Sequence, residues 1–246
     1  MVLSFVRCTK QWPQNQFPKS EKPGKQELHV HVHVAVFAKS QSISLERRSK
    51  GNTKIMSDSA AAAPPADQPE RTRPNVLITG TPGVGKTATA SLMAERLGFQ
   101  HICVGDLVKQ HKFYEGKDEK FDSMILDEDS LLDHMEQMLA DAAEEERGVV
   151  VDYHGCDFFP ERWFDLVLVL RAKTDVLYDR LVQRGYSETK RNENMECEIM
   201  QIVLDEAKES YAQEIVHEVQ SNTLSDMEGN VTRVEQWVQQ WIKDNE

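Results

Sequence analysis

From Pro74 onward, short apolar runs alternate with longer stretches in which apolar residues recur at helical spacing. Asn75-Val76-Leu77-Ile78-Thr79 is a short apolar run that stops at a glycine, which predicts a buried strand. Residues 86–97 carry Ala90, Leu92, Met93, Ala94 and Leu97 and end at Gly98, which predicts a helix. Three more apolar runs, 101–104, 148–152 and 166–170, predict strands, and 216–220 offers a fifth. Between them the spacing predicts helices over 130–143, with Leu131, Leu132, Met135, Met138 and Leu139 on one side, and over 174–184, closed by Gly185. A single long helix is expected over 195–216, with Ile199, Ile202, Val203, Tyr211 and Ile215 inward. A last helix is expected over 227–243, with Val231, Val234, Val238, Trp241 and Ile242 inward. Strands that are apolar throughout and alternate with helices imply an α/β fold, a parallel sheet covered on both faces.

Residues 1–55 follow no such pattern; they hold scattered basic residues and Pro13, Pro18 and Pro23. The run His29-Val30-His31-Val32-His33-Val34 would set three imidazoles on one strand face, but no acidic or cysteine cluster nearby completes a metal site. A strand-prone run without a metal role is the expectation. Met56 precedes an Ala- and Pro-rich lead-in, and translation is expected to begin there, with 1–55 as upstream sequence; a basic targeting peptide is the rival. Residues 1–73 are thus expected to be a disordered or non-native extension, and 74–246 the folded domain.

Composition sharpens this division. Residues 1–70 hold 10 Lys or Arg and 6 Asp or Glu, whereas residues 71–246 hold 19 and 35. A net charge of −12 disfavours a general nucleic-acid surface, so no direct sequence-specific nucleic-acid binding is expected. No apolar run reaches the roughly 18 residues of a spanning helix, so no membrane role is expected. The 4 cysteines (Cys8, Cys103, Cys156 and Cys197) are widely spaced and suit a reducing compartment, the last three as small buried hydrophobes.

The chemistry begins at Gly80-Thr81-Pro82-Gly83-Val84-Gly85-Lys86-Thr87, which satisfies the P-loop pattern G-x-x-x-x-G-K-[ST] and lies between a predicted strand and a predicted helix. The glycines let backbone N–H groups converge on one centre, and the helix adds its positive dipole end. Lys86 brings a mobile cation for the β- and γ-phosphates of ATP, and the Thr87 hydroxyl suits Mg²⁺. Asp152 ends a valine strand, where a P-loop protein keeps the acid that holds the metal's water shell. His154, just past that strand, is placed to face the ligand crevice as a proton carrier or water-orienting group, or else to serve as a hydrogen-bonded loop residue. Arg180 and Arg184 share a helix face; one of them, with Arg184 the stronger candidate, would stabilise charge on the transferring phosphoryl group, and the polar stretch 185–194 could form a closing lid. Gly105-Asp106-Leu107 opens a stretch where a nucleotide kinase would hold its second substrate, and the acidic run Leu126-Asp127-Glu128-Asp129 is expected to start a helix rather than bind metal.

Taken together, G-T-P-G-V-G-K-T, V-G-D-L, I-L-D-E-D, V-D-Y-H-G-C-D-F-F-P-E-R-W-F, V-L-Y-D-R-L-V-Q-R-G-Y and W-I-K-D resemble the adenylate kinase isoenzyme 6 family, also called the coilin-interacting nuclear ATPases. The resemblance runs from about Pro74 to Asn245. It implies a P-loop NTPase three-layer sandwich with a five-stranded parallel sheet and small monophosphate-binding (about 103–126) and lid (about 183–193) regions. It also implies adenylate kinase activity on ATP and AMP with ATPase activity, and a part in small ribosomal subunit maturation through a small-subunit ribosomal protein and the pre-ribosomal particle. A monomer in the nucleus, also in the cytoplasm, is expected. By position Gly83, Gly85, Lys86, Thr87 and Ala88 would bind ATP, Arg184 would touch it from the lid, Thr87 and Asp152 would hold Mg²⁺, and His154 would be tied to activity. Ala88 stands where relatives usually carry a second hydroxyl, and Lys109 where many kinases carry an arginine fork for the monophosphate. The competing expectation is a nucleotide-gated ribosome-assembly binding factor with little turnover.

Overall fold

The computed structural model describes residues 71–118 and 123–245. The histidine–valine run, Met56 and Cys8 lie outside them. The chain enters the sheet as β1 (Asn75–Thr79) and leaves it through the glycine loop into α1 (Lys86–Leu97). β2 (Gln100–Cys103), α2 (Val104–His111) and the antiparallel hairpin β3 (Tyr114–Asp118) and β4 (Ser123–Leu126) follow. Then come α3 (Glu128–Glu144), β5 (Val149–Asp152), a 3-10 turn (Glu161–Trp163), β6 (Leu166–Arg171) and α4 (Thr174–Gln183). The chain closes with α5 (Glu188–Ile199), α6 (Ile202–Ser210), β7 (Val216–Gln220) and α7 (Leu224–Asp244).

The larger sheet runs β2-β5-β1-β6-β7 and is parallel throughout. Its central strands are buried on both faces because alternate side chains feed two separate cores. Leu77, Val149, Val151, Val167 and Val169 pack with α2, α3 and α6 on one side. Val76, Ile78, Val150, Leu168 and Leu170 pack with α1, α4 and α7 on the other. This is the expected α/β sandwich, and it aligns the carboxyl ends of β1, β5 and β6, with Ile78 opposite Asp152 and Thr79 opposite Val169.

Three elements differ from the periodicity reading. The expected helix over 195–216 is two helices, broken where Gln201 takes a left-handed backbone (φ 59°). The first of them begins earlier, because the Ser187 side chain accepts from the Lys190 N–H and caps it. Ile199, expected inward, is 60% exposed at the break, because the turn spends its buried position on Glu198 instead. The hairpin β3–β4 and helix α2 had no expected counterparts. Both are short and charged, and α2 needs only Val104, Leu107 and Val108 to pack. The acidic run does start a helix, with Asp127 capping α3 by accepting from the Ser130 N–H at 3.1 Å.

On α6, Glu206 is half-buried, and burial, followed by Asp157 and Glu209, pushes its carboxyl from its ordinary 4.5 up to about 7. Between those two pH values the native state holds a proton that the unfolded chain has released, so stability is full below pH 4.5 and falls as pH rises to 7. After allowing for solvent screening, the loss is about 1–2 kcal/mol. Glu206→Gln should therefore gain that amount at pH 8 relative to pH 5 in denaturant unfolding. Equal effects at both pH values would contradict this.

Candidate active site

The phosphate cradle is built at the carboxyl end of β1. Gly80, Gly83 and Gly85 take φ values of 139°, 103° and 107°, which L side chains rarely adopt. A Cβ on Gly80 would stand 2.5 Å from the Leu170 carbonyl oxygen, and one on Gly83 would stand 2.8 Å from Leu177 Cδ1. The loop therefore fits against β6 and α4 only as glycine. Gly85 is the N-cap of α1, so Lys86, Thr87 and Ala88 form the helix's first turn, with Thr87 and Ala88 exposed and their N–H groups directed out of the helix end. The Lys86 ammonium donates to the carbonyls of Gly80 (2.7 Å) and Thr81 (3.1 Å). Its withdrawal from water lowers its pKa to about 8; Asp152 raises it and Arg184 lowers it. An anion held there would raise it again, so the cradle and an arriving phosphate attract one another.

Asp152 is 4% exposed, and its two oxygens are held separately. Oδ2 accepts from the Thr87 hydroxyl at 2.8 Å, and Oδ1 lies 2.6 Å from His101 Nε2. A carboxylate only accepts, so Nε2 carries the proton. His101 was not anticipated. It sits on β2, and it meets Asp152 because β2 pairs with β5, with Cys103 opposite Asp152. An imidazole one strand over from the acid has no local signature in sequence. His154 lies just beyond, where the Thr79 hydroxyl donates to its carbonyl at 3.3 Å and its ring centre is 4.2 Å from that of Tyr153.

The two arginines separate in role. Arg180 donates to the carbonyls of Val84 (3.1 Å), Ser221 (2.8 Å) and Asn222 (2.9 Å), and so straps the P-loop turn to the segment before α7. Arg184 is the exposed C-cap of α4, near enough to Lys86 to depress its pKa. Toward the expected second-substrate region, Lys109 and Asp106 form an exposed ion pair at 3.7 Å. A second unanticipated residue, Glu198, reaches the cradle from α5, its Oε2 accepting from the Thr81 hydroxyl at 2.5 Å. The described cysteines are free thiols. Burial lifts Cys103 to about 12 and Cys197 to about 11, which makes them poor nucleophiles at neutral pH.

Among the described residues, no group of three or more His, Cys, Asp or Glu could hold a metal by itself. Thr87 and Asp152 supply two hard oxygen donors side by side, the sort of partial set that suits Mg²⁺ shared with phosphates and water. The first-turn amides of α1, one ammonium and such an oxygen pair can bind and polarise a polyphosphate. No helix among the described residues is long and apolar enough to cross a membrane.

Comparison with known proteins agrees with this geometry. The family model described as "AAA domain" matches residues 76–201. A Caenorhabditis elegans protein named adenylate kinase isoenzyme 6 homolog is 52% identical over 164 residues, 67% of this chain and 88% of that protein. Dictyostelium discoideum and Schizosaccharomyces pombe proteins of the same name are 47% and 44% identical over 176 residues each, 72% of this chain and 98% of theirs.

Proposed function

The chain belongs to the adenylate kinase isoenzyme 6 family, a nucleotide-binding enzyme of kinase type, and on that premise we propose that it transfers the γ-phosphoryl group of ATP to AMP, with water as a second acceptor. The observation that carries this reading is the Lys86 ammonium resting on two loop carbonyls beside the Thr87–Asp152 pair. A cation poised on weak neutral acceptors moves readily to a charged one. It would leave the Gly80 and Thr81 carbonyls for the β- and γ-oxygens, while the first-turn amides of α1 hold the same phosphates. Thr87 and Asp152 would hold Mg²⁺, which when bound supplies neutralising charge at those oxygens. Arg184 would add charge from the lid side as negative charge spreads over the transferring group. His154 would orient the acceptor or carry its proton. Catalysis in this arrangement is positioning and charge stabilisation rather than covalent chemistry.

The acidic domain, with 35 Asp or Glu against 19 Lys or Arg over residues 71–246, favours a basic partner. Together with the family this supports a role in small ribosomal subunit maturation, in the nucleus and cytoplasm. A coupled assay with ATP, with and without AMP, tests the kinase reading. The expected result is two ADP formed per AMP consumed. Phosphate release that ignores AMP would move the function to hydrolysis, and nucleotide binding with neither activity would leave a nucleotide-gated binding factor.

A further inference from the structure

Among the described residues, the proposed transfer chemistry leaves one buried carboxylate unused. Glu198, near the end of α5, is 4% exposed and has both oxygens engaged. Oε1 accepts from Arg171 Nε (2.7 Å) and from the Ala172 N–H (3.0 Å), and Oε2 accepts from the Thr81 hydroxyl (2.5 Å). Arg171 Nη2 donates back to the Glu198 carbonyl at 2.9 Å, and Nη1 reaches Glu218 at 3.2 Å. A buried ion pair loses hydration that an apolar pair would not, so stability alone is a weak reason for one here. The pair does supply direction. Donors at the end of β6 hold the carboxylate still, and its remaining oxygen is aimed at the P-loop.

The loop residue it grips is the one most in need of an anchor. Thr81 lies between Gly80, whose backbone is unrestrained by a side chain, and Pro82, which has no N–H. Its carbonyl accepts both from Lys86 Nζ (3.1 Å) and from the Val84 N–H (3.3 Å). One residue therefore carries the clamp on its side chain and the resting place of Lys86 on its backbone. The helix that bears Glu198 is capped by Ser187, three residues past Arg184. We infer that Glu198 is a positioning residue for γ-phosphoryl transfer: by clamping Thr81 it aims the loop amides and Lys86 at the transferring group and couples that aim to the lid-side helix. The inference rests on the reading that this loop holds ATP.

Glu198→Gln would leave the half-buried Arg171 with Glu218 alone as its charge partner and so disturb the fold itself, and the test therefore uses Thr81, which keeps the Arg171–Glu198 pair intact. In Thr81→Val the hydroxyl is lost without change of shape. The expected result is a kcat about 10-fold lower, an ATP KM within about twofold of wild type and a melting temperature within a few degrees. Thr81→Ser should restore kcat to within about twofold. Calorimetric titration adds an arm independent of the acceptor: Thr81→Val should bind Mg-ADP normally but bind Mg-ADP with aluminium fluoride about 10-fold more weakly. Wild-type kcat and fluoride-complex affinity in Thr81→Val would overturn the assignment, as would a loss confined to KM or a serine variant as impaired as the valine. If the wild type forms no ADP from AMP, the kinase reading fails while the fluoride comparison still decides the role of Glu198. A wild type that binds neither complex overturns both.

Discussion

Lys86→Ala is expected to lower turnover roughly 10³-fold, about 4 kcal/mol of transition-state stabilisation. In the structure the ammonium donates to the Gly80 and Thr81 carbonyls, and alanine would open the space its side chain fills to water, which can serve both carbonyls in its place. Its removal should therefore shift the melting temperature by no more than a few degrees. The effect on chemistry is much larger, because negative charge develops on the β- and γ-oxygens during transfer and Lys86 is the cation that the P-loop sequence itself carries. ADP formation followed against AMP, with unfolding of the same preparation as control, separates the two effects. A variant with full rate would contradict the assignment of the loop.

For Asp152→Asn the expected result is a fall in kcat of roughly 10²-fold, together with at least about a tenfold rise in the Mg²⁺ concentration giving half-maximal rate. The substitution keeps the size of the side chain and can still accept from the Thr87 hydroxyl, so the strand end should hold its shape. It removes the negative charge that a divalent ion would share, and it replaces the acceptor facing His101 with an amide whose orientation must be chosen between two partners. ATP affinity measured without Mg²⁺ should remain within a few-fold of wild type. Turnover titrated against Mg²⁺ distinguishes this from general damage: an unaltered Mg²⁺ requirement would mean that Asp152 is a structural strand cap.

Both variants fall on residues whose placement follows from local order along the chain. A buried strand, a glycine loop with its Lys-Thr pair and an amphipathic helix are contiguous, so spacing alone specifies that the helix N-terminus will face the loop. Asp152 is legible for the same reason, as the polar end of an all-valine strand. Arg184 was distinguishable from Arg180 only weakly, by its neighbouring glycine. The structure separates them through three backbone carbonyls that converge on Arg180 from two distant segments.

What the amino-acid order determined by itself is thus the α/β class, the phosphate cradle and the acid beside it, because each depends on residues a few positions apart and on a repeat of two or of three to four. Only the tertiary structure decided the rest. His101 meets Asp152 from 51 residues away because the sheet order sets β2 against β5, and Glu198 meets Thr81 from 117 residues away because Arg171 and Ala172 at the end of β6 hold the end of α5 there. The same long-range demand broke the expected helix at Gln201, since carrying Glu198 inward and Tyr211 to the Cys156 carbonyl outweighs the preference for an unbroken helix. Periodicity records which side of an element is apolar; it holds no information about which buried polar group waits across the fold.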